Sequence, residues 1–151
     1  MIDLQRRGVI FGLAGLAAGQ ALFVPARLFA ADKIKPNAAS ALIVVDVQNC
    51  FLPGGSLAVK EGDQVIPVIN RIAKSFDNVV MTQDWHTPNH MSFASSHANQ
   101  KPFDVIKVAY GDQVLWPDHC VQDTDGAQIA KDIKIPQANL IIRKGFRKDV
   151  D

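Results

Sequence analysis

Three short apolar runs limit what this chain can become: Ala41–Val45, Asn78–Thr82 and Leu140–Ile142. Each is rich in β-branched residues and continuous rather than alternating. Strands buried on both faces read this way, as in a parallel sheet covered by helices. Between the first two runs, apolar residues at 65, 66, 68, 69, 72 and 73 follow helical spacing, with Pro67 tolerated in the first turn. Strand, helix, strand makes a βαβ unit, so the spacing predicts an α/β fold. A second helix is expected over 125–132. The stretch 85–118 is rich in Pro, Asn, Ser, His and Gln, and a connection of that length is usually functional.

The first 31 residues stand apart. Arg6-Arg7 precede a 17-residue Gly/Ala-rich run from Gly8 to Val24, and Ala30-Ala31 supply small residues for cleavage. This pattern reads as a secretory signal of the twin-arginine type, which implies export to a bacterial periplasm. The alternative is an uncleaved anchor. It is weakened by Gln20 and four glycines in a run already shorter than the ~20 apolar residues of a span. The reading therefore divides the chain into a signal, 1–31, and one domain, 32–151, with no stable membrane association after cleavage. Residues 1–31 hold three of the 16 Lys and Arg and one of the 15 Asp and Glu, leaving 13 basic against 14 acidic residues in the domain. That balance, with no basic stripe among aromatics, argues against a nucleic-acid partner.

Ionisable residues follow each apolar run: Asp46 the first, Asp84 the second, Lys144 the third. In open parallel sheets the ligand crevice lies beyond the carboxyl ends of the strands, so these three are expected to converge there. Asp84 and His86 lie two apart, on one side of an extended segment. With His119 they form a two-histidine, one-carboxylate set suited to zinc, with iron or manganese as alternatives, and leave positions open for a ligand. His90 is a fourth ligand or a partner of one, and His97 reads as a surface histidine.

Four segments carry a resemblance. Asp46-Val-Gln48-Asn49-Cys50-Phe51, Asp84-Trp85-His86-Thr87-Pro88-Asn89-His90, Trp116-Pro117-Asp118-His119-Cys120 and Arg143-Lys144-Gly145 occur in this order. Together they resemble the nicotinamidases, or pyrazinamidases, of the isochorismatase-like cysteine hydrolases, over about residues 40–146. The resemblance implies a doubly wound parallel sheet and hydrolysis of nicotinamide to nicotinic acid and ammonia. It implies Asp46 as general base, Lys144 beside it, and Asp84, His86 and His119 around one divalent metal that binds the pyridine nitrogen. Phe51 and Trp116 would be the flat walls for the ring. It also implies a nucleophilic cysteine downstream of the lysine. The sequence ends seven residues after Lys144 and has no cysteine there. The chain is thus read as such an amidase lacking its C-terminal strand and helix portion, inactive alone, with an unpaired sheet edge and uncovered apolar surface. Cys50 and Cys120 are read as unpaired structural thiols, with a disulfide as the alternative. The other readings are a hydrolase whose metal activates water without a cysteine, and a non-catalytic exported metal- or ligand-binding protein.

Overall fold

The computed structural model describes residues 35–151. The signal read over 1–31 lies outside the described residues. Strands β1 (Ala41–Val44), β2 (Asn78–Asp84) and β5 (Ala138–Lys144) form one parallel sheet in the order β1-β2-β5. All three expected runs are therefore strands, and the third is longer at both ends than its apolar stretch. Helix α1 (Val65–Ala73) links β1 to β2 and turns Ile66 and Ala73 into the core. There they meet Val44, Val47, Val79, Met81, Ala130 and Ile135.

The stretch 85–118 contains a small antiparallel hairpin, β3 (Val105–Val108) with β4 (Gly111–Val114). Its turn uses Gly111 at φ 134°, a conformation open to glycine. The helix expected over 125–132 is instead a single 3-10 turn, Asp125–Ala127. The reason is tertiary. Residues 128–130 run extended beside 47–49, where Asn49 N–H donates to Gln128 O at 3.0 Å and Ala130 N–H to Val47 O at 2.8 Å. A helix would forfeit those bonds, and an isolated helix of two turns is unstable in water.

Only part of the sheet surface is covered among the described residues. Val79 is fully buried, but Ile43 is 60% exposed and Leu140, Ile141 and Ile142 each about half. Among the described residues β5 is an edge strand with apolar side chains bare on both faces, which corrects the reading of this run as a strand buried on both faces: no helix covers it here.

Candidate active site and metal centre

Each strand of the parallel sheet ends at or just before one residue of the candidate site. Asp46 lies two residues beyond β1 in a left-handed conformation, φ 50°. Asp84 ends β2 and Lys144 ends β5, and the two are register partners. The parallel ladder thus delivers both groups to one rim. Lys144 Nζ reaches Asp46 Oδ2 at 2.7 Å and also hydrogen-bonds Asp84 Oδ1. Thr82 Oγ1 donates to Asp46 Oδ1 at 2.6 Å, so both oxygens of that carboxylate are engaged. Partial burial lowers the affinity of Lys144 for its proton. The hydrogen bonds and charges of Asp46 and Asp84 outweigh that, and its pKa stands above the ordinary lysine value.

Asp84, His86 and His119 are all buried, and one ligand atom of each lies within 4.8 Å of the others. His86 Nε2 is 3.9 Å from Asp84 Oδ2, and His119 Nε2 is 4.0 Å from the same oxygen. The far side of each ring fixes its proton. His86 Nδ1 faces Gly145 O at 3.0 Å and His119 Nδ1 faces Pro117 O at 2.8 Å. A carbonyl only accepts, so both Nδ1 atoms carry hydrogen and both Nε2 atoms face Asp84. Burial lowers the pKa of His86, and the neighbouring imidazoles reinforce this against the pull of Asp84. Two imidazoles and a carboxylate, the rings oriented from behind, fit a divalent metal of the zinc type.

His90 is fully buried but belongs to a different row. Its Nε2 donates to Arg147 O at 2.6 Å, and its Nδ1 accepts from Ser92 Oγ at 2.8 Å. With both nitrogens occupied it has none to offer the trio, and its ring instead backs His86 at 4.5 Å. His97 is half-buried, with Nε2 2.7 Å from Met91 O, rather than a plain surface histidine. Phe93 is a residue that sequence reasoning passes over. It is fully buried and lies edge-on to both His86 and His119, at 5.4 and 5.5 Å. Its hydrophobicity reads as ordinary core, and nothing local marks it as the packing surface of a ligand set.

Phe51, Leu57 and Trp116 join Asp84, His86, His119 and Lys144 around a cavity of about 410 Å3. A larger cavity, about 760 Å3, lies apart from this chemistry against Leu52, Ile66 and 128–132. Cys50 and Cys120 form a disulfide with Cα atoms 5.6 Å apart, which corrects the reading of two unpaired thiols. Both are only 1% exposed, and spacing 70 residues apart in sequence carries no sign of that meeting.

Comparison with known proteins agrees with this geometry. Residues 40–148 match the model of the isochorismatase domain. A nicotinamidase of Acinetobacter baylyi is 58% identical over 111 residues, which cover 74% of this chain and 52% of that protein. A solved nicotinamidase and pyrazinamidase of Acinetobacter baumanii superposes with TM-score 0.76 at 56% identity, over 78% of this chain and 56% of the other. A pyrazinamidase of Pyrococcus horikoshii, solved in complex with zinc, gives TM-score 0.57 at 38% identity, over 74% of this chain and 54% of the other. The chain spans about half the length of the curated relatives it matches. With Asp46, Asp84 and Lys144 gathered at the carboxyl rim of its parallel strands and the match running through all four motifs, this chain belongs to the isochorismatase-domain family.

Proposed function

We propose that this chain carries the substrate-binding and proton-transfer half of a nicotinamide amidohydrolase. The observation that carries the reading is the meeting of Asp46, Lys144 and the Asp84/His86/His119 set at one rim of the sheet, beside a cavity walled by Phe51 and Trp116. A divalent metal, with zinc favoured by the donor set and by the zinc-bound relative, supplies a Lewis-acid anchor for the pyridine nitrogen when bound. Phe51 and Trp116 flank the ring and exclude water. Lys144 pairs with both carboxylates and keeps Asp46 aimed. Asp46 then takes the proton of an attacking thiol and returns it to the nitrogen as the C–N bond breaks and ammonia leaves.

The described residues do not supply that thiol. Both cysteines of the chain are joined to each other, so no free thiol faces the cavity. The 151-residue chain therefore binds nicotinamide without turning it over. A buried disulfide also suits an oxidising compartment, which supports the periplasmic reading. The test is calorimetry with nicotinamide, with and without zinc, beside an assay of nicotinic acid release. Binding that requires zinc, with no release, is the expected result. No binding in either condition overturns the substrate reading, and release at an enzymatic rate overturns the inactivity of the chain.

A further inference from the structure

We propose that the Cys50–Cys120 bridge is a positioning device for the metal ligands. It holds Cys120 in its left-handed conformation and so aims His119 and His86 at Asp84. The inference rests on the metal reading above and concerns two residues that reading leaves without a task.

Cys120 sits at a junction. It follows His119 directly, and its carbonyl accepts the N–H of His86 at 3.1 Å. His86 O in turn accepts the N–H of Gln122 at 2.8 Å. One short segment thus carries one imidazole and pins the backbone of the other. At its centre Cys120 has φ 43°, a region that residues with a Cβ enter only when their surroundings over-determine it. The surroundings here are the two hydrogen bonds to the His86 backbone and the bond to Cys50. That residue precedes Phe51, whose ring lies 5.7 Å from that of His119. Neither cysteine lies in a strand, so the sheet ladder does not fix one segment against the other. Hydrogen bonds tie 47–49 to 127–130 farther along the chain, and the sulfur–sulfur bond adds the tie at Cys120 itself, joining an aromatic wall of the cavity to the ligand segment.

The test is zinc affinity, measured on the intact chain by competition with a chromophoric chelator at a temperature where each variant is folded. Serine replaces both cysteines, since reduction would free thiols that themselves ligate zinc. Cys50→Ser with Cys120→Ser is expected to weaken zinc binding roughly tenfold to a hundredfold, the range for losing support behind a ligand. Cys50→Ser with Cys120→Gly is expected to bind more tightly than the serine pair, because glycine adopts φ 43° without penalty. Zinc binding by the serine pair within threefold of the parent overturns the inference while leaving the metal reading intact. Equal weakening in both variants overturns it too, as the left-handed backbone would then not matter. No zinc binding by the parent overturns both. Should the serine pair not fold, amide exchange in the parent before and after reduction decides. Faster exchange at His86 and Gln122 with Val79 and Met81 still protected supports the clamp, and unchanged exchange at His86 and Gln122 overturns it.

Discussion

Single atoms decide whether the imidazoles are presented at all. Gly145 has φ 64°, and a Cβ added there would lie 2.5 Å from Cε1 of the His86 ring. Gly145→Ala therefore combines a left-handed backbone cost with displacement of a buried ring. It should lower stability by about 2 kcal/mol and weaken zinc binding at least tenfold, read by urea unfolding and by chelator competition. His86 gives a signed pH dependence. Burial holds its folded pKa below 6.5, so the neutral ring contributes stability above pH 6.5 that is lost as pH falls through the lower folded value. The urea midpoint should be level from pH 8 to about 6.5 and decline below it. A midpoint that rises on acidification in that range would contradict a buried neutral imidazole.

Elements deliver these atoms through a few polar anchors. Gln48 is fully buried and bonds both backbone groups of Asp84: its Nε2 donates to Asp84 O at 2.8 Å and its Oε1 accepts from Asp84 N–H at 2.8 Å. It also donates to Ala127 O, but that carbonyl keeps a second donor in Gln83. Gln48→Ala thus orphans two groups at the end of β2, and a loss of about 3 kcal/mol follows from the cost of unpaired buried amides. Denaturant unfolding followed by circular dichroism checks it. The strands and α1 were legible because a continuous β-branched run and a 3.6-residue period are local signals. So was the meeting of Asp46, Asp84 and Lys144, since parallel pairing sends every strand end to one rim. The β3–β4 hairpin was not: Val108-Ala109-Tyr110-Gly111 lacks the usual two-residue turn signal. Nor was the extended path of 128–130, which depends on partners at 47–49 far away in sequence. The disulfide and the backing role of Phe93 lie in the same class, being contacts across the fold.

At the scale of the molecule, the described residues are unevenly clothed. Ile43 and Val45 are each about 60% exposed, and Leu140, Ile141 and Ile142 stand half-bare on an open edge. Apolar surface of this kind, on an unpaired strand, favours edge-to-edge association. The chain should bind an anilinonaphthalene dye strongly and sediment as more than a monomer at micromolar concentration. Ile141→Lys should reduce both, because charge on an edge strand blocks pairing. Analytical ultracentrifugation with dye titration checks this, and a monomer that leaves the dye dark would contradict it. The cavity wall brings a practical benefit as well. Of the two tryptophans in the chain, Trp116 lines the cavity while Trp85 is capped by the guanidinium of Arg143, 3.8 Å from its ring. The indole at 116 is thereby a built-in optical reporter, one whose glow answers to whatever slides in beside it.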